Sequence, residues 1–91
     1  MAISYRLKIS PRSPLDMTSE EIRKQIGHRI RVRRVELRLD QRELGQRVGV
    51  AQPQVSDWEN GRRPLRFDDA IALAKALRTS VAYLAGEAPR V

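Results

Sequence analysis

At 91 residues the chain makes one small domain at most, and its lack of cysteine excludes a disulfide framework, a thiolate zinc site and a cysteine nucleophile together. The formal net charge of +7 comes from 18 basic and 11 acidic residues, and the whole excess falls in residues 22–66, where 12 bases face 5 acids. Fifteen of the bases are arginine, whose planar fork suits phosphates and base edges. A basic block of this kind points to a polyanionic partner; the plain alternative is a solvated basic helix face. No apolar run reaches the length of a membrane span, and the amino terminus lacks the apolar core of a signal peptide. The expectation is a cytoplasmic chain with no membrane partner.

In chain order, Ile3-Ser-Tyr-Arg-Leu-Lys-Ile9 alternates apolar and polar residues, the period of a half-buried strand. A lone strand is not stable in water, so this one must pair with a second copy, add to another protein, or stay flexible. Ser-Pro-Arg-Ser-Pro (Ser10 to Pro14) breaks it. Thr18-Ser-Glu-Glu21 is a capping-box pattern, with Met17 and Ile22 placed as its hydrophobic staple. A helix then runs to about Leu37, with Ile22, Ile26 and Ile30 four apart. Asp40 caps a second helix, Gln41 to Val48, which Gly49 ends. A third helix runs from Gln52 to about Glu59 and stops at Asn60-Gly61, with Pro53 tolerated in its first turn. A fourth is predicted from Phe67 to Leu77, with Ala70, Ile71, Ala74 and Leu77 inward. Ser80 caps a last short helix, Val81 to Ala85, before Gly86. Only Gly49-Val50-Ala51 separates helices two and three, so they must cross steeply, as in a helix-turn-helix.

With these elements in place the sequence resembles the phage-repressor and Cro-like (Xre-type) helix-turn-helix family. The residues that carry the resemblance are IGHRIRVRR, LDQRELGQRVGV, VSDWENG, IALAKAL and SVAYLAG; together they span about two-thirds of the chain, and Leu39 to Gly61 is the most specific part. The implied fold is all-α, a compact five-helix lambda-repressor-like domain, here with a short N-terminal β-strand or arm. The implied division is 1–18 as arm, for dimer or partner contact, 19–86 as DNA-binding domain and 87–91 as tail.

The chemistry of the third helix agrees with that resemblance. Val55, Trp58 and Glu59 are expected inward, and glutamine at a helix start can bond adenine N6 and N7 together. Gln52 is the leading base-reading candidate. Gln54 reaches a base or a phosphate, and Ser56 touches a base or nothing. Asp57 either accepts from cytosine N4 or pairs with a nearby arginine. Backbone contacts are expected from Gln41, whose family counterpart touches phosphate, and from Arg42, Asn60, Arg62 and Arg63. Arg66 reaches towards phosphate or the minor groove, or is plain surface. Asn60 has turn capping as its alternative task. Trp58 holds a family core position. The resemblance also implies a structural, partly buried ion pair between Arg34 and Glu59. His28 reads as a helix-surface residue.

Four positions depart from the family pattern. Arg38 stands where a glycine is usual in a left-handed turn, and would be strained there. Gly45 replaces the usual alanine, and Ala51 the usual capping serine or threonine. Pro53 removes one reading side chain.

The function expected is a sequence-specific regulator of transcription, a repressor, that reads the major groove of double-stranded DNA with helix 52–59 as a homodimer. An antitoxin-type module, holding a toxin through residues 3–9 and repressing its own operon, is the alternative from another class. With one histidine, no metal-spaced cluster and no glycine-rich phosphate loop, neither an enzyme nor a cofactor or metal site is expected.

Overall fold

The computed structural model describes residues 16–88. The alternation over residues 3–9, and the strand or arm expected from it, lie outside the described residues. Within them the chain forms five helices: α1 (Ser19–Glu36), α2 (Gln41–Val48), α3 (Gln52–Glu59), α4 (Phe67–Ala76) and α5 (Val81–Leu84). The all-α expectation holds, and α1, α2 and α5 start directly after the capping residues Thr18, Asp40 and Ser80.

Local chemistry explains the starts. At α1, Thr18 Oγ1 accepts from the amide of Glu21 at 3.1 Å, and the Glu21 carboxylate accepts from the amide of Thr18 at 2.8 Å. At α2, Asp40 accepts from the amide of Glu43 at 2.7 Å, and Glu43 accepts from that of Asp40 at 2.8 Å. Each reciprocal pair satisfies two amides that the helix leaves open. Ser80 accepts from the amide of Tyr83 at 3.0 Å and starts α5. Ala51, at the head of α3, offers no side-chain cap.

The helix ends turn through left-handed residues. Gly49 (φ 80°) closes α2 and Gly61 (φ 71°) follows α3. Two arginines do the same work at a steric cost: Arg38 (φ 59°) after α1 and Arg78 (φ 54°) after α4. The strain anticipated for Arg38 is therefore present. The turn it makes carries a bond from the Leu39 amide to the Arg34 carbonyl at 3.1 Å.

α3 packs against both α1 and α2, α4 against α2 and α5, and α5 returns to α1. The core they enclose consists of Ile30, Leu44, Val55, Trp58, Leu73, Ala74, Leu77, Tyr83 and Leu84. Burial deepens along α1, from Ile22 at the surface through half-buried Ile26 to fully buried Ile30. On α4 the inward set is Ala70, Leu73, Ala74 and Leu77. Ile71, expected inward, lies at the surface. It sits about 100° round the helix from Ala70, on the shoulder it shares with exposed Phe67 four residues earlier.

Two glycines permit close approaches. A Cβ on Gly27 would lie 2.6 Å from the Glu59 carbonyl oxygen, so α1 can touch the end of α3 only through a glycine there. At Gly45 a Cβ would lie 2.6 Å from the Val50 carbonyl oxygen. Gly45, which stands in place of the family's usual alanine, thus lets the turn into α3 fold tightly over α2.

Candidate nucleic-acid interface

α3 has eight residues, and its inward side is fixed by buried Val55, Trp58 and Glu59. At about 100° per residue the opposite side is centred on Pro53, Ser56 and Asp57. Gln52 and Gln54, two residues apart, fall on nearly opposite flanks of that face. Gln52 and Pro53 are exposed, whereas Gln54, Ser56 and Asp57 are half-buried. The four reading candidates thus divide: Gln52 flanks the face on the side of Glu59, and Gln54 flanks it on the side of Trp58.

The side towards α1 and α2 carries a continuous set of polar contacts. The Arg34 guanidinium grips Glu59 with two bonds, Nε to Oε2 at 2.6 Å and Nη2 to Oε1 at 3.1 Å. Its third nitrogen, Nη1, donates to the Leu39 carbonyl at 2.8 Å. The expected Arg34–Glu59 pair is present and more buried than anticipated, with the Glu59 side chain 3% exposed and that of Arg34 12%. The hydrogen bond to Glu59 is the main cause that raises the Arg34 pKa above its ordinary value; burial opposes it, and the charges of Glu59 and Asp40 add to it.

Gln41, the first residue of α2, donates from Nε2 to Glu59 Oε1 at 3.0 Å. Gln52, the first residue of α3, donates from Nε2 to Gln41 Oε1 at 2.5 Å. Gln41 was singled out only for phosphate contact, but it joins the ion pair to the leading reading residue. The available signal was a glutamine opening each of two consecutive helices; its partner Glu59 was not legible.

Beyond α3 lie the arginines expected to meet the DNA backbone. Arg62 and Arg63 are exposed and face one carboxylate, Asp57, at 3.8 and 3.7 Å. Asp57 thus has charge partners on the protein itself, the second of its two anticipated roles. Asn60 Nδ2 donates to the Ser56 carbonyl at 2.8 Å, so Asn60 caps the end of α3 while remaining exposed. Arg42 is exposed in the first turn of α2. Arg66, at the head of α4, forks onto Asp68 at 2.6 and 3.2 Å. That hydrogen bond is the largest cause that raises the Arg66 pKa and lowers that of Asp68. His28 is exposed and Trp58 is buried, each as expected.

Among the described residues no three His, Asp or Glu side chains converge so as to hold a metal ion. No described helix is long and apolar enough to cross a membrane.

Comparison with known proteins meets this geometry at the same place. A helix-turn-helix family model matches residues 30–84, the span of the core, α3 and the turns around it. Repressor protein C2 of Salmonella phage P22 is 41% identical over 59 residues, covering 65% of this chain. The match takes in only 27% of the repressor's own length. An uncharacterized transcriptional regulator in the ATPase CF(0) region of Rhodospirillum rubrum is 33% identical over 73 residues, covering 80% of this chain and 68% of that protein. Among solved structures, the P22 c2 repressor in complex with synthetic operator 9T superposes with a TM-score of 0.66 at 38% identity. That superposition covers 69% of this chain and 96% of the other.

Proposed function

The chain belongs to the phage-repressor and Cro-like helix-turn-helix family, and from that premise we propose that it is a sequence-specific regulator of transcription that binds duplex DNA. In this reading α3 lies in the major groove, a homodimer engages a two-fold operator, and the regulator is a repressor. The observation that carries it is the division of α3: one side anchored by Val55, Trp58 and Glu59, the other polar, accessible and unused by the core. An α-helix with its side chains is about 10–12 Å across, and the major groove of B-DNA is about 12 Å wide. Gln52 reads a base edge from the flank of that face, with Pro53 and Ser56 beside it. Arg62, Arg63 and Asn60 follow the helix directly and hold phosphates, with Arg42 at the head of α2 and Arg66 at the head of α4. On contact Arg62 and Arg63 exchange the long, solvated approach to Asp57 for phosphate oxygens. The relatives reported above bear the names of a repressor and a transcriptional regulator, which favours this reading over a toxin-binding module.

The experiment is a selection of bound sites from random duplex DNA. The expected result is a two-fold site whose half-sites are centred about 34 Å apart, or a multiple of that. Affinity should fall steeply with salt. Gln52→Ala should erase preference at one base pair in each half-site while the fold, followed by circular dichroism, stays intact. Recovery of the wild-type site by that variant would overturn the assignment of Gln52.

A further inference from the structure

We propose that the cleft between α1 and the chain that follows α3 binds a small carboxylate with an apolar body, and that this ligand opposes DNA binding. The opposition rests on the phosphate contact proposed above for Arg63; the site itself does not.

The cleft has a volume of about 250 Å³. Ile22, Ile26 and Ile30, four apart along one face of α1, line it together with Trp58 of α3 and Leu65. Ile22, at the surface, thus belongs to a concave apolar set rather than standing alone. A single exposed apolar residue needs no explanation, whereas a concave apolar set with a few converging polar groups is the ordinary form of a ligand site. A cavity of about 150 Å³ accepts a benzene ring, so by the same measure this one takes an apolar body of about ten non-hydrogen atoms.

Charge identifies the other end of the ligand. Arg23 and Arg63 also line the cleft, and among the described residues no acid does. Neither arginine is firmly engaged. Arg23 Nε donates to the Gly61 carbonyl at 3.4 Å, and Arg63 stands 3.7 Å from Asp57. Both approaches are long beside the 2.6 Å bond that holds Arg34. A carboxylate is the planar partner that a guanidinium fork fits. The Arg63 side chain is half exposed, so the anion keeps contact with water while its body is covered. No charge need then be buried.

The coupling to DNA follows from shared parts. Arg63 cannot hold a carboxylate and a phosphate at once. Trp58 lines the cleft and also seats α3 in the core. A ligand that prefers the DNA-free form weakens DNA binding, and DNA weakens the ligand by the same factor.

The test starts with the full chain free of DNA. It is titrated by calorimetry with octanoate and 3-phenylpropanoate, an alkyl and an aromatic body on the same anion, and with the two corresponding alcohols. At least one acid should bind one to one, and its alcohol roughly tenfold more weakly. Arg23→Gln should weaken that acid roughly tenfold and leave the alcohol unmoved, a split that a merely structural role of Arg23 would not produce. The acid should also shift the ¹³C methyl resonances of Ile22, Ile26 and Leu65. No binding by either acid, equal binding of its alcohol, or shifts confined to other exposed residues such as Val35 and Ile71 would overturn the site. So would nuclear Overhauser contacts to Ile26 from Ile3, Leu7 or a second copy in the ligand-free protein, because the cleft would then already hold protein. With the duplex recovered by selection, a saturating concentration of the acid should lower DNA affinity roughly tenfold relative to an equal concentration of acetate. Arg23→Gln should need roughly tenfold more acid for the same loss. An unchanged DNA affinity would overturn the coupling and leave the site standing. If no duplex is bound at all, the proposed function falls and the coupling with it, while the titrations without DNA still decide the site.

Discussion

Two arginine–carboxylate pairs in this molecule share a closest approach of 2.6 Å and differ in everything else. Arg34 and Glu59 meet across the core with side chains 12% and 3% exposed. Arg66 and Asp68 meet in water with side chains 76% and 67% exposed. Distance alone would rank them equal. Burial separates them, because a surface pair competes with solvent and salt, whereas removing one partner of a buried pair strands a charge that water cannot reach. The first pair ties α1 to α3, and Gln41 joins α2 to it through Glu59. The second leaves its arginine able to change partners, which suits a residue proposed to meet phosphate.

The sharpest way to break this contrast is to delete one acid from each pair. Glu59→Ala should cost about 3–5 kcal/mol of stability in urea denaturation, a large share of the margin of a small domain. Replacing Arg34 by Met and Glu59 by Leu together should recover most of that loss, since no charge is then stranded. An equal cost for the single and double changes would mean that packing, not charge, holds this region. Gly27→Ala tests the close approach that buries the pair. Its added methyl meets the carbonyls at the end of α3 and should cost about 1–3 kcal/mol.

A smaller effect of opposite sign is expected at the turn beside the pair. Arg38→Gly removes a left-handed arginine and should raise stability by up to about 1 kcal/mol, visible as a higher denaturation midpoint. Least of all, Asp68→Ala should leave the midpoint unmoved. The pH dependence of the exposed pair has a definite sign. Hydrogen bonding from Arg66 holds the Asp68 pKa below its ordinary 3.8. Whatever the pair contributes is therefore present above pH 3.8 and lost as pH falls through the depressed native value. A ¹³C titration of the Asp68 carboxyl should give a midpoint below 3.8 that climbs towards it as salt is added.

What the sequence disclosed and what it withheld divide along physical lines. Helix starts were legible because capping is local: Thr18 and Glu21, or Asp40, act within one turn. The left-handed ends at Gly49 and Gly61 were legible for the same reason. The Arg34–Glu59 pair was legible only through resemblance, since 25 residues separate the partners. Gly27 drew no attention, because its importance depends on how close α3 comes, and nothing local records that. Ile71 was placed inward by its apolar character, while the surface of α4 is set by which neighbours cover it. Gln41 was judged as a separate surface residue, because its partners Glu59 and Gln52 meet it only once α2 and α3 have crossed. The arginine partners of Asp57 were anticipated, since Arg62 and Arg63 follow it closely in the chain.

Trp58 is the single tryptophan of the chain, buried in the core on α3. Its indole N–H finds no acceptor among the described residues. A fluorophore in such an apolar setting emits towards the blue and shifts to the red on meeting water. The molecule therefore contains its own optical gauge, placed on the helix whose seating matters most. Unfolding of each variant can be followed without a label, from one residue whose signal has a single origin.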